Sequence, residues 1–378
     1  MASLYIHVPF CARKCAYCDF ASFDNKNELI GEYFKALWRE VELAAGMHDF
    51  HGVSTVFFGG GTPSFVDAAY IAKTLEAAQK HIGIRAGAEI TIEANPNSLD
   101  AEKLKTYLSA GINRLSMGLQ SAEDRLLKLL GRLHTREMFE KAYLDARDTG
   151  FANISVDLIY GLPTQTLDEW GHTLEYVAGL APGHVSAYSL TIEEGTPLHR
   201  DLLTGKIKEA EEEDERAMYH EAVAFLKTKG YERYEISNFA KPGLESRHNL
   251  AYWNRDDYLG IGAAAHSCVA DVRFANASDL DGYISCLRAG KTAYNTREEL
   301  DARQREFEYI MLKLRLAQGF LLDEYEKLFG RNFEKRFAAP LEKLENAGLL
   351  KRENGRIFLT DRGFDLQNTV VLELLNIL

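Results

Sequence analysis

Three of the five cysteines fall within eight residues, as Cys11, Cys15 and Cys18, in the spacing C-x3-C-x2-C. Gaps this short bring three thiols to one side of a tight loop. They can hold a metal or a cluster, whereas a disulfide between any two would strand the third. Three thiolates on a four-iron cluster leave one iron without a protein ligand, and chemistry can occur there as it does at the open position of a catalytic zinc. A structural zinc would need a fourth ligand. The remaining cysteines, Cys268 and Cys286, are remote in sequence, and His7 sits in an expected strand at residues 4–8. The spacing is not a usual zinc spacing, which favours the cluster. With no disulfide framework elsewhere, the thiols imply a reducing compartment.

Other residues have types suited to binding. Gly59, Gly60 and Gly61 precede Thr62 and Pro63, so the backbone there can approach a ligand closely. Glu93 closes an apolar run, and a carboxylate in that position is disfavoured unless it is paired or solvated. Gln120, Arg132 and Asp157 lie at comparable strand ends or loops, where an ordinary polar rim would also place them. His248 stands beside Tyr252 and Trp253: an imidazole that can ligate iron, next to rings that can pack on a flat cofactor. A lone histidine among aromatics is more often simply packed. His266 follows a glycine-rich stretch at residues 260–265 and is a rival ligand. The run at residues 209–215 holds six acidic residues in seven and reads as a solvated helix face.

Elements that must position these residues are legible. Strands are expected at residues 4–8, 53–58, 89–93, 114–118, 153–157 and 184–189. Helices are expected between them, one capped by Asp100 and stopped by Gly111. Alternation of this kind predicts parallel strands with right-handed crossovers, and six units are short of the eight that close a barrel. An α/β partial barrel follows, with its chemistry on loops at the C-terminal strand ends. From about residue 296 the pattern becomes helices followed by a hairpin around Asn354-Gly355, a small winged-helix-like α+β arrangement. The expected division is a barrel at 1–240, a connecting segment at 241–295 and a C-terminal domain at 296–378.

The run from Tyr5 through Pro9 and Phe10 into the cysteines, with Tyr17 before Cys18, resembles the radical S-adenosylmethionine (SAM) superfamily. More narrowly it resembles the oxygen-independent coproporphyrinogen III oxidases and their haem-chaperone relatives, over nearly the whole chain. That resemblance implies a partial (β/α)6 barrel with a small C-terminal domain. It implies a [4Fe–4S] cluster on Cys11, Cys15 and Cys18 whose open iron is chelated by SAM, which an electron then cleaves to methionine and a 5′-deoxyadenosyl radical. It assigns Tyr5, Gly60 and Glu93 to that SAM. From the oxidase branch it carries over Tyr17, Gly61, Thr62, Gln120, Arg132, Asp157 and Thr191 as contacts to a second SAM. The motif His248-Asn249-x-x-Tyr252-Trp253 resembles the signature of the haem-chaperone branch, which implies His248 as a haem ligand. Two departures separate the chain from the oxidases: Phe20 stands where they have a fourth cysteine, and only ten residues precede Cys11. The expected function is therefore a haem chaperone that delivers haem to respiratory apo-proteins. The alternatives are the oxidase itself and a radical SAM enzyme with another substrate.

Composition narrows the partners. With 378 residues and 46% hydrophobic content the chain can build a sizeable core and a second, smaller unit. A net charge of −12 argues against a general nucleic-acid binder, and in residues 301–378 the 13 basic and 13 acidic residues cancel. No apolar stretch of transmembrane length and no signal peptide are present, so a cytoplasmic protein is expected. Haem, haem-accepting apo-proteins and an electron donor for the cluster are the implied partners. The sequence leaves peripheral membrane contact and a homodimer open.

Overall fold

The computed structural model describes residues 2–47 and 51–376. Six strands, β1 (Ser3–Val8), β2 (Val53–Gly60), β3 (Ile84–Ala94), β4 (Arg114–Gln120), β5 (Asn153–Tyr160) and β6 (His184–Ser189), pair in consecutive parallel order. The crossovers carry α1 (Ile30–Met47), α2 (Ala68–His81), α3 (Ala101–Ala110), α4 (Asp124–Leu129), α5 (Arg136–Thr149) and α6 (Leu167–Leu180). Local chemistry fixes their ends. Asp67, Asp100, Thr135 and Thr166 accept hydrogen bonds from the first-turn backbone, and Gly111 and Gly150 close α3 and α5 in the left-handed conformation. After β6 come α7 (Pro197–Leu203) and α8 (Glu212–Thr228). The acidic run opens α8, where Glu212–Glu215 occupy the first turn and suit the positive end of the helix.

The sheet is wider than the sequence reading expected. β7 (Glu232–Arg233) and β8 (Asn238–Ala240) extend it antiparallel beyond β6. After α9 (Arg247–Trp253), β9 (Tyr258–Ile261) pairs parallel with β1, on the side away from β2. β10 (His266–Val269) and β11 (Val272–Asn276) follow antiparallel, then α10 (Leu280–Arg288), and β12 (Tyr294–Glu299) completes a twelve-stranded sheet among the described residues. These added strands run two to six residues, too short to show periodicity, and β9 contains a glycine.

Alternation along the six parallel strands organises the barrel. Leu4, Ile6, Val56, Phe58, Ile90, Ile92, Leu115, Met117, Val156 and Val185 are buried in the core cluster. The intervening residues are largely polar: Tyr5 and His7, Thr55, Glu89 and Glu93, Arg114 and Ser116, Ser155 and Asp157, Ser186. Because successive strand side chains point to opposite faces, one face packs apolar and the other presents this polar set. Residues at matching heights pair across strands, as Glu93 with Ser116 and Asp157 with Ser186.

The C-terminal unit is a separate core. It comprises α11 (Ala302–Lys313), β13 (Phe320–Leu321), α12 (Leu322–Phe329), α13 (Phe333–Arg336), α14 (Ala338–Asn346), β14 (Leu350–Glu353), β15 (Arg356–Leu359), α15 (Asp361–Asp365) and α16 (Gln367–Leu375). Its three strands pair in the order β13-β15-β14. The β14–β15 turn has positive φ at both Asn354 and Gly355, as a two-residue hairpin requires. It meets the barrel through the bridge between Glu235 and Leu316, and through Arg233–Asp361 at 2.7 Å and Lys313–Asn254 at 2.9 Å.

Candidate cofactor and ligand site

β1 ends at Val8, and the chain leaves it for a closed excursion. Cys11 N donates to the Phe23 carbonyl at 3.0 Å and Phe23 N to the Pro9 carbonyl at 2.7 Å, so residues 11–22 form a loop with a pinned neck. Inside it, Cys18 N donates to the Cys15 carbonyl at 3.3 Å, a turn that gathers the last two cysteines. His7 supports the loop from below. Its Nε2 lies 2.8 Å from the Ala21 carbonyl, which can only accept, so that nitrogen carries the proton; Nδ1 then accepts from the Tyr5 hydroxyl at 3.0 Å. Burial pushes the His7 pKa down, which keeps the ring neutral. With both nitrogens occupied, His7 positions the loop and does not serve as a fourth ligand for a zinc.

All three thiols line one cavity. The Thr62 hydroxyl donates to Cys11 Sγ at 3.4 Å, and Arg132 Nη1 points to Cys15 Sγ at 3.6 Å while its Nη2 holds the Gly118 carbonyl at 2.9 Å. Burial raises the Cys11 and Cys18 pKa, so these thiols give up their protons when a cationic partner compensates. Three thiols border one cavity, with a hydroxyl at Cys11 and a guanidinium at Cys15; among the described residues no three ligands close on a single metal ion, and an all-thiol set is the kind that an iron–sulfur cluster takes.

The glycine segment lies directly on the cysteine strand. Gly61 N donates to the Val8 carbonyl at 2.9 Å and Thr62 N to the Phe10 carbonyl at 2.8 Å. Gly60 has φ +110°, and a Cβ there would come within 2.5 Å of the His7 ring. Glycine is thus needed for packing against β1 as well as for approach to a ligand. Gly60 N donates to Glu93 Oε2 at 3.3 Å. Burial first, then the Asp157 charge, pushes Glu93 up to about 8, against the Gly60 N–H and Arg114. Asp157 is also raised by burial, opposed mainly by the hydroxyls of Ser186 at 2.7 Å and Ser116 at 2.9 Å. Gln120 has a positive φ of 70°, unusual for a non-glycine residue and frequent where backbone strain serves a site.

The cavity has a volume of about 650 Å³. Tyr5, Tyr17, Gly60, Gly61, Thr62, Glu93, Gln120, Arg132, Asp157, Thr191 and His248 all border it together with the three cysteines, so residues spread over most of the barrel sequence converge on one space. Phe20 stands at its mouth, 66% exposed. His266 begins β10, exposed and outside the cavity lining.

His248 comes from the opposite direction. Glu89, midway along β3 and level with Thr55 near the start of β2, accepts from His248 N at 3.1 Å and Arg247 N at 3.2 Å, which fastens the N-terminus of α9 to the sheet. The His248 ring stacks on Phe57, with Nδ1 at 2.8 Å from the Thr55 hydroxyl and Nε2 at 3.1 Å from the Tyr252 hydroxyl. Burial, with Arg114 adding to it, pushes its pKa down to about 3, so the imidazole is neutral. Iron ligation through Nε2 requires Tyr252 to turn away.

Sequence reasoning missed Glu89, Arg114 and the serines at 116, 155 and 186. A signal was available. Every second residue of these strands is polar, and in a parallel strand that should be apolar on both faces such alternation marks a face turned to a cavity.

Comparison with known proteins places this geometry. Residues 5–177 match the family model of the Radical SAM superfamily, and residues 300–366 match that of the HemN C-terminal domain. The chain is 34% identical to the haem chaperone HemW of Bacillus subtilis (strain 168), over 98% of each chain. The chain belongs to the HemW family of the radical SAM superfamily. A second HemW, from Lactococcus lactis subsp. lactis (strain IL1403), is 34% identical over 97% of this chain and 96% of its own. Among solved structures, the coproporphyrinogen III oxidase HemN from Escherichia coli, a radical SAM enzyme, aligns with a TM-score of 0.86 at 25% identity, covering 100% of this chain and 90% of that one. The HemW-family chain therefore has the radical SAM fold, here with a large parallel sheet and a small C-terminal domain with a three-stranded sheet.

Proposed function

We propose that this chain is a haem chaperone, which binds haem and hands it to haem-accepting apo-proteins in the cytoplasm. The observation that carries this reading is the position of α9, which brings His248 and Tyr252 of the H-N-x-x-Y-W motif to the cavity wall across from the cysteine loop. The full-length relatives named as haem chaperones support it.

Under this reading Cys11, Cys15 and Cys18 hold a [4Fe–4S] cluster. Tyr5, Gly60 and Glu93 bind a SAM beside it, and Tyr17, Gly61, Thr62, Gln120, Arg132, Asp157 and Thr191 face a second SAM position. The cluster with SAM supplies one-electron reductive chemistry when loaded and reduced by an electron donor. The chain's own residues do the positioning. Thr62 and Arg132 set the charge around the sulfurs, Gly60 and Glu93 offer a backbone donor and a carboxyl of raised pKa, and the neutral ring of His248 offers an iron ligand once Tyr252 turns away.

The second reading is a coproporphyrinogen III oxidase, favoured by the full-length likeness to the Escherichia coli enzyme. Directing a reactive radical to one substrate carbon demands tight positioning, and Phe20, exposed at the mouth, replaces the oxidases' fourth cysteine. One experiment separates the two. Anaerobically reconstituted protein is titrated with haem and, in parallel, incubated with SAM, a reductant and coproporphyrinogen III. Haem should bind with a Soret band altered by His248→Ala and should pass to an apo-cytochrome, with no protoporphyrinogen formed. Protoporphyrinogen accumulating over many turnovers would overturn the chaperone reading.

A further inference from the structure

Arg114 has no role in the reading above. It begins β4 on the cavity-facing side and is only 2% exposed. Among the described residues its guanidinium makes no hydrogen bond or ion pair, and its Nε is buried without a partner. The carboxyls of Asp157 and Glu93 feel it through space and are bonded elsewhere. Asp157 is held by Ser116, Ser155 and Ser186, and Glu93 by Gly60 N–H. Burial shifts both carboxyls toward their neutral forms, and it keeps the neighbouring His248 and His184 neutral as well. The inner end of the cavity therefore carries a guanidinium whose Nε has no partner and whose neighbouring carboxyls are bonded to other groups, Glu89 among them through the Arg247 and His248 N–H. A guanidinium taken from water without a partner is strongly disfavoured, and its planar fork matches a carboxylate in two-point contact.

We propose that Arg114 anchors a ligand carboxylate at the inner end of the cavity. Two ligands present such a group: a porphyrin propionate, which rests on the haem-chaperone reading, and the amino-acid carboxylate of a SAM, which does not. The neutral-leaning carboxyls of Glu93 and Asp157 allow an anion to sit beside them without direct repulsion, and the hydroxyls of Ser116 and Ser186 offer further donors at the same height.

The test compares reconstituted wild-type protein with Arg114→Met, which keeps much of the volume and removes the charge. Binding of haem, haem dimethyl ester and SAM is measured for both. If the propionate is the ligand, haem affinity falls roughly tenfold to a hundredfold in the variant, while the ester binds both proteins alike. If SAM is the ligand, its affinity falls by the same factor and haem binding is unchanged. Either result supports the anchor. Unchanged affinity for both ligands overturns it, as does an equal loss for haem and its ester with SAM unaffected. The thermal midpoint of the unloaded variant should stay level or rise, because an unpartnered buried charge has been removed. A fall of several degrees would mark Arg114 as a structural counter-charge and overturn the proposal. Should wild-type protein bind no haem, the chaperone reading fails and the SAM comparison alone decides the role of Arg114.

Discussion

Glu93 shows what the cavity does to a single residue. Its carboxyl is buried against Gly59 and Gly60, and its pKa rises to about 8. An unfolded chain ionises this group at its ordinary value, near 4.5. Below that both states are protonated and the group leaves stability untouched. As pH rises through the window up to about 8, the unfolded state ionises first, so folding loses stability, on the order of 4 kcal/mol by the top of the window. Glu93→Gln cannot ionise and should remove this decline. Denaturant unfolding of the metal-free protein at pH 5, 6.5 and 8 should show the variant overtaking the wild type as pH rises. Parallel stability profiles would mean that Glu93 is ionised in the folded protein. Gln120 and Gly60 make a related point through backbone geometry, since both hold positive φ next to the same cavity.

At the scale of an element, α9 is the part that distinguishes this site from a bare barrel end. It is only seven residues long, too short to be stable alone, so its position depends on what holds it. Ser246 caps its first turn by accepting from Asn249 N at 3.3 Å, and the buried carboxylate of Glu89 takes two of its free N–H groups. Glu89→Ala leaves those donors unsatisfied in a buried place and should cost about 1–3 kcal/mol. The thermal midpoint should drop, and amide hydrogens of residues 247–253 should exchange faster, with iron content of the reconstituted protein unchanged. Undisturbed protection of α9 would show that its packing on β2 and α11 suffices. The cysteine loop is held differently: its neck is tied to itself, and its middle is tied to helix ends, with Ala16 N on the Leu130 carbonyl at the end of α4 and Leu198 N of α7 on the Ala16 carbonyl, both at 2.9 Å.

For the whole molecule, the hydrophobic core of the sheet and that of the C-terminal unit are separate, and the residues that line the main cavity all lie between positions 5 and 252. The C-terminal unit is centred on its own buried charge. Glu306 accepts from the Tyr325 hydroxyl and meets Arg331 at 3.2 Å and Arg336 at 3.1 Å. Truncating it strands these partners, at about 2–4 kcal/mol reduced for the half-exposed Arg331. Glu306→Ala should therefore make residues 300–376 sensitive to limited proteolysis while the reconstituted barrel keeps its full iron content. Loss of iron in step with proteolysis would show that the two units are coupled through the Lys313–Asn254 and Arg233–Asp361 contacts.

The cysteine spacing, the glycine triplet and the strand–helix alternation each depend on neighbours within a few residues, and for that reason the sequence alone determined the loop, the parallel sheet and the hairpin at Asn354-Gly355. Helix ends at Asp100 and Gly111 were legible on the same ground, because caps are local. Other features arise only when distant segments meet. Strand β9 takes its place beside β1 through pairing across some 250 residues, which no local pattern records. Arg114 reads as an ordinary strand residue until Glu93, Asp157 and His248, from three other elements, are brought around it without bonding to it. In the sequence His248 reads as an imidazole beside two aromatics, packed or ligating iron. Tertiary structure gave both of its nitrogens partners, one from β2 and one from its own helix, because a polar ring buried there is stable only when those nitrogens are satisfied.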